Sequence, residues 1–271
     1  MLRPLFVAFA TLSITAGFAA ENPPPANTQA APLITPASGY LTPADMPSSL
    51  ALVPPPPAAG SGAMARDEEV NRAALELYDS PRWKLAAQDA VLTFPDVAYT
   101  FACALNAPIS EEHTPNLMRL LRRTLVDAGR STGEAKRKYQ RQRPFMVNNK
   151  PLCTPHREAP LRADGSYPSG HSAIGWAFGL VLSEVSPEQA NALLARGRAY
   201  GQSRVVCNVH WQSDVLEGQL MGSAVVARLH GQSEFRKDVE AARAEIQALR
   251  AKSPINARDC SIETQALQNS L

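Results

Sequence analysis

Aromatic residues make up only 6% of the 271-residue chain, and apolar–polar alternation is nearly absent, which leaves a β-sandwich or barrel little to build on. An excess of one charge is also lacking. The 27 Lys and Arg against 25 Asp and Glu leave +2, too little to point to nucleic acid as a partner. Cysteine is scarce: Cys103, Cys153, Cys207 and Cys260 include no C-x-x-C pair, which argues against a zinc ribbon, a thioredoxin-type site or a small disulfide-stapled scaffold. No H-E-x-x-H motif and no two-metal carboxylate cluster occurs. Past the first twenty residues no run of eighteen apolar residues appears, so stable membrane insertion is not expected of the mature chain. What is present is a 45% apolar content, enough to bury a sizeable core in one large or two small domains.

The N-terminus reads as an export signal over residues 1–19. Arg3 supplies the positive end and Leu5 to Phe18 an uncharged apolar stretch, with Gly17 and Ala19 as the small residues flanking a cleavage site. An N-terminal anchor is the alternative. Residues 20–65 follow as a proline-rich, largely unstructured segment; eleven of the 23 prolines lie between 21 and 60. Proline lacks an amide donor and fixes φ, so this stretch is expected to be extended, without a helix, with parts wrapping the domain surface. Export permits disulfides among the four cysteines, with three pairings open and buried free thiols as the alternative.

From about Arg66 to 250 the pattern is helical, and the expected fold is a single all-α bundle followed by a tail over 251–271. Ser80-Pro81, Thr114-Pro115 and Ser186-Pro187 read as helix starts, the last with Gln189 as a capping-box partner. Leu117, Leu120, Leu121, Thr124, Leu125 and Ala128 form one apolar stripe, expected to end at Gly129. Segments 171–183 and 214–229 are apolar on most sides, as for helices inside a bundle, whereas 236–250 is amphipathic.

Three stretches carry chemistry. Residues 119–143 hold nine Lys and Arg. Within them Lys136 and Arg143 are seven apart, two turns of one helix that Pro144 is expected to end, and so face one small anion; a solvated basic face is the plain alternative. Residues 165–172, Gly-Ser-Tyr-Pro-Ser-Gly-His-Ser, lead into a buried helix whose free amides and positive dipole end suit an anion. There Ser169 caps or binds, Gly170 lets the ligand approach the backbone, and His171 stands beside it; an ordinary N-cap with an incidental histidine is the alternative. In the third stretch, Ser203-Arg204 precedes His210 and Asp214, four apart, so the carboxylate can fix one imidazole nitrogen and free the other as nucleophile or base. A structural His–Asp pair or two metal ligands are the alternatives. His113, His156 and His230 read as surface or helix-end residues, and Trp211 as packing.

The blocks occur in order, with 23 residues between the first two and 31 between the last two. Lys136-x6-Arg143-Pro144, Pro168-Ser169-Gly170-His171 and Ser203-Arg204-x5-His210-x3-Asp214 together resemble the tripartite signature of the type 2 phosphatidic acid phosphatase (PAP2) superfamily, which includes vanadium haloperoxidases. The chain most resembles bacterial class A non-specific acid phosphatases. That resemblance implies a PAP2-type helical bundle, a periplasmic enzyme acting on small phosphate monoesters with inorganic phosphate as product, and a homodimer or larger assembly. It implies that Lys136, Arg143, Ser169, Gly170 and Arg204 bind phosphate, that His210 is the nucleophile forming a phosphohistidine, that Asp214 orients it, and that His171 is the general acid. No cofactor or metal is implied. The alternatives are a vanadate-dependent haloperoxidase using the same pocket and a soluble lipid-phosphate phosphatase or phosphotransferase.

Overall fold

The computed structural model describes Met1, residues 38–252 and residues 260–268; most of the expected export signal and the first prolines after it lie outside them. Among the described residues no strand occurs, and the domain is all-α as expected. In chain order the helices are α1 (Ser49–Leu52), α2 (Gly62–Leu75), α3 (Pro81–Gln88), α4 (Asp96–Tyr99), α5 (Ala102–Leu105), α6 (Pro115–Ser131) and α7 (Gly133–Tyr139). There follow α8 (Pro144–Asn148), α9 (Glu158–Arg162), α10 (Gly170–Val185), α11 (Ala190–Val206), α12 (Gln212–Leu229), α13 (Ser233–Lys252) and α14 (Ser261–Gln268).

Helix α10 is the hub. It packs against α6, α11, α12 and α13, and its apolar composition matches that enclosure. Phe178, Val181 and Leu182 from α10 join Leu117 and Leu121 from α6, Tyr200 from α11, Val225 from α12 and Phe235 from α13 in the main core. Hydroxyl caps fix several helix starts: Ser80 Oγ accepts from Trp83 N at 3.3 Å, and Ser169 Oγ from Ser172 N at 3.2 Å. Two starts differ from expectation. Thr114 turns its hydroxyl back to Ser110 instead of capping α6, and Ser186 Oγ donates to Glu188 at 2.6 Å, so no capping box with Gln189 forms. Helix α6 also runs past Gly129 to Ser131, because a single glycine weakens a helix without ending it.

The described part of the proline-rich segment is more structured than composition suggests. Tyr40 and Leu41 donate their amides to the buried Asp127 on α6, at 2.7 and 3.4 Å, and Tyr40 OH donates to Asp238 at 2.7 Å. Residues 49–52 form α1, where no helix was expected, because Ser49 Oγ accepts from Ala135 N at 3.0 Å and ties that turn to α7. Pro54 O accepts from Tyr167 OH at 2.8 Å, bringing the strap to the turn before α10. The helical region opens at Gly62, ahead of Arg66, on a Ser61 cap. At the other end, the expected tail contains α14, fastened by a Cys103–Cys260 disulfide; a second bridge joins Cys153 to Cys207, which resolves the open pairing.

Close approach of α12 to the start of α10 depends on Gly218, where a Cβ would lie 2.4 Å from Ser169 O and 2.9 Å from Ser172 Cβ. Both obstacles are parts of a buried helix terminus, so neither can swing aside. Gly218→Ala should therefore cost about 1–3 kcal/mol in urea denaturation and reduce activity by displacing Ser169. Unchanged stability and activity would contradict this packing.

Candidate active site

The three sequence blocks meet in one place, and backbone hydrogen bonds hold them together. Ser169 N donates to Asp214 O at 2.9 Å, joining the second block to the third. Ser166 N donates to Arg141 O at 2.9 Å, joining the second to the first. Phe145 N donates to Asn208 O at 3.1 Å, closing the circuit between first and third.

In the first block, Lys136 and Arg143 do converge, but not along one helix. Helix α7 stops at Tyr139, where Gln140 adopts the left-handed conformation with φ 42°. Pro144 then opens α8 instead of ending its predecessor, since a proline at the first helical position loses no hydrogen bond. Arg143 is the extended residue just before it, which turns its side chain inward and buries it to 1% exposure. Asp164 bridges the two cations: Lys136 Nζ and Arg143 Nη2 each donate to its Oδ2 at 3.2 Å. Both cations also donate to Gly165 O.

In the second block, Ser169 caps α10 and is fully buried, placing the free amides of Gly170 and His171 in the first turn of a sixteen-residue helix. His171 Nε2 lies 3.1 Å from Ala90 O, the last residue before the loop that follows α3. A carbonyl can only accept, so this contact places a hydrogen on Nε2 and leaves Nδ1 for other work.

In the third block, the chain reverses after α11, and the amides of Val209 and His210 both donate to Arg204 O at 3.2 Å. That reversal sets Arg204 and His210 side by side. The Cys153–Cys207 bridge and the side chain of Asn208, which donates to Lys150 O and Pro151 O, fasten it to the loop after α8. His210 Nδ1 lies 3.2 Å from Asp214 Oδ2, and its Nε2 lies 3.1 Å from Arg143 Nη1. With Nδ1 donating to the carboxylate, Nε2 carries the lone pair. Arg204 is 2% exposed, and its Nε and Nη1 find no hydrogen-bond partner among the described residues.

Burial and charge set the protonation states. His210 is held well below the usual histidine value by burial first, then by Arg143, Lys136 and Arg204. The raising effect of a hydrogen bond to the Ser166 backbone is thus outweighed. His171 is also held well below its usual value, by burial and by Arg204. Burial raises Asp214 against the lowering effect of Arg141, and it brings Arg204 down to about 10, still a cation at neutral pH.

Beside His171 and Arg204 a cavity of about 340 Å³ opens, walled by Val91, Leu92 and Leu161, with Thr154, His156 and Arg157 along one side. His113 and His230 lie elsewhere on the surface, bonded to Ser110 and Glu184. Trp211 is packed, with its indole donating to Gln142 O. Among the described residues no group of three or more His, Cys, Asp or Glu side chains is arranged to hold a metal ion.

Sequence reasoning passed over the support behind His210. Arg141 Nη1 donates to Asp214 Oδ1 at 2.7 Å and its Nη2 to Asp67 Oδ2 at 2.8 Å. Asp67, on α2, also accepts from Ser213 N at 2.8 Å. The basic run contained Arg141, but nothing local distinguished it from its neighbours.

Two neutral imidazoles buried in one site make stability depend on pH. Unfolded, they would titrate near 6.5; below that pH the unfolded chain binds protons that the folded chain refuses. Their neutral state therefore favours folding above about pH 6.5, and this contribution is lost as pH falls, by about 1.4 kcal/mol per pH unit for each group. In phosphate-free buffer, His210→Asn should make the fall in thermal midpoint between pH 7 and 5 shallower than in the parent. An unchanged slope would contradict a neutral, buried His210.

Comparison with known proteins adds an independent line. Residues 120–238 match the PAP2 superfamily. The chain is 40% identical over 215 residues to an acid phosphatase of Zymomonas mobilis subsp. mobilis, covering 78% of this chain and 81% of that protein. It is 42% identical over 212 residues to a non-specific acid phosphatase of Providencia stuartii, covering 78% and 86%. A non-specific acid phosphatase of Salmonella typhimurium is 40% identical over 208 residues, covering 76% and 83%.

Proposed function

The chain belongs to the PAP2 superfamily and is an acid phosphatase, a hydrolase of phosphate monoesters; from that premise we propose that it works through a phosphohistidine formed on His210. The observation that carries this reading is the polarity of the His210 ring, with Nδ1 bonded to Asp214 and the lone pair of Nε2 turned to the Arg143 guanidinium.

The ester phosphate is held by Lys136, Arg143 and Arg204, with the Ser169 hydroxyl and the Gly170 amide at the start of α10. Two Arg204 nitrogens without a partner among the described residues support this role, since a guanidinium fork matches two phosphate oxygens. Spreading three cations over the equatorial oxygens stabilises the charge that develops in phosphoryl transfer. His210 Nε2 donates its electron pair to phosphorus as the bond to the leaving oxygen breaks. The ring becomes cationic, and Asp214, itself held by Arg141, stabilises it.

His171 supplies a proton to the leaving alkoxide through Nδ1, because Nε2 is engaged by Ala90. Burial and Arg204 keep that ring neutral in the ligand-free site, but an incoming phosphate anion offsets the cations and favours the protonated ring. Acid conditions favour the same state. In the second half of the cycle, water attacks phosphorus, His171 takes its proton, and the N–P bond breaks to release inorganic phosphate and the neutral His210.

Export to the periplasm is part of the same reading. The N-terminal signal pattern supports it, as do two disulfides, which persist in an oxidising compartment. Among the described residues no helix is long and apolar enough to cross a membrane.

Two measurements test the roles. His210→Ala should yield no phosphoenzyme on rapid alkaline denaturation of a reacting mixture, and labelled intermediate persisting in that variant would overturn the assignment. His171→Asn should reduce turnover of an alkyl phosphate by about 10²–10⁴-fold while sparing an activated aryl phosphate. Equal losses on both substrates would remove His171 from the general-acid role.

A further inference from the structure

Behind the pocket lies a second charge network that the catalytic scheme does not use. Asp89, at the end of α3, is 1% exposed and grips Arg196 of α11: Nη2 donates to Oδ1 at 2.6 Å and Nη1 to Oδ2 at 3.2 Å. Ser203 Oγ donates to Asp89 Oδ2 at 2.6 Å and accepts from Arg82 Nη1 at 2.9 Å. Arg196 Nε reaches Glu263 of α14 at 3.1 Å. Two guanidinium groups thus face two carboxylates, all four nearly buried, a balance that such a setting demands.

The place of this network in the chain matters more than its charge. Asp89 immediately precedes Ala90, whose carbonyl receives the His171 Nε2 hydrogen. Ser203 immediately precedes Arg204, the clamp with unpartnered nitrogens. One buried carboxylate therefore sits next in the chain to the residue whose carbonyl aims the proton donor, while the backbone around Ser203 and Arg204 is held independently within α11. On the outer side, the Cys103–Cys260 bridge fastens the start of α14, and Glu263 lies in its first turn.

We propose that Asp89, held by Arg196 and Ser203 and closed from outside by Glu263 of α14, is a positioning residue that sets the orientation of His171 through the Ala90 carbonyl. The inference rests on the reading of His171 as general acid. Without the carboxylate, the turn after α3 loses its side-chain anchor to α11, the Ala90–Val91 peptide that carries the accepting carbonyl keeps only the Val91 N–Gln88 O bond at 3.1 Å, and Nδ1 is held less firmly toward the leaving oxygen. The effect belongs to proton donation, so it should scale with the need of the leaving group for a proton.

Asp89→Asn keeps the shape and removes the charge. With purified full-length protein, turnover of an alkyl phosphate should fall about 10²-fold while an activated aryl phosphate changes by less than about threefold. Adding Asp89→Asn to His171→Asn should cost nothing further on the alkyl ester, because the two changes remove one function. Since Asp89→Asn also leaves Arg196 with one counter-charge fewer, Ser203→Ala serves as a second variant: it deletes the hydrogen bond to Asp89 and the one accepted from Arg82 but no charge, and should give the same selective loss at about tenfold. Equal losses on both esters in the Ser203 variant, or additive losses in the double mutant, would overturn the proposal and leave the network a structural role. If His171→Asn is selective for the alkyl ester and both network variants are not, the positioning role alone fails. If His171→Asn itself shows no selectivity, the reading of His171 fails and this proposal with it.

Discussion

Lys136, Arg143 and Arg204 are cations in a buried space, and two nitrogens of Arg204 find no acceptor among the described residues. Burying an ion costs several kcal/mol unless partners compensate it, so this concentration of positive charge must be supported from elsewhere in the fold. Asp164 bridges two of the cations, and Asp214 is bonded to Nδ1 of His210. On the proposed reading, a phosphate anion supplies the compensation the protein omits. Burial and the same field keep the His210 ring unprotonated, so on the proposed reading one arrangement both attracts the substrate and prepares the nucleophile.

Rigid elements pay this cost away from the chemistry. Helix α10 brings its capped N-terminus into the pocket from the middle of the core, where Phe178 and Leu182 anchor it. Helix α12 begins at the opposite wall, and its close contact with α10 through Gly218 keeps Ser169 and Asp214 bonded by a backbone amide. Behind each imidazole stands a buried carboxylate–guanidinium pair. Asp67–Arg141 supports Asp214 and hence His210, while Asp89–Arg196 lies beside the carbonyl that receives His171. The two histidines are therefore served by separate networks.

Much of this was legible where a feature is local. Ser80-Pro81 and the 165–172 turn specify their helix starts within four residues, and His210 and Asp214 are one helical turn apart. Periodicity located α6 and α13, and all-round apolar composition located α10 and α12, for the same reason. Pro144 was misread because a proline both ends one helix and begins another; the left-handed turn at Gln140 decides between them, and glutamine gives no sign of it. Arg141–Asp67 and Arg196–Asp89 span 74 and 107 positions and leave no periodic mark, so they emerged only from the folded chain. The α14 helix was hidden in an expected tail because its anchor is a disulfide to a distant cysteine and not an apolar stripe of its own.

The most direct test of the account is a crystal structure of the protein with orthovanadate, which adopts the five-coordinate geometry of a phosphoryl group in transfer. The account predicts vanadium bonded to Nε2 of His210, with its equatorial oxygens on Lys136, Arg143 and Arg204. Vanadate seated elsewhere, or the His210 ring turned away from it, would contradict the account.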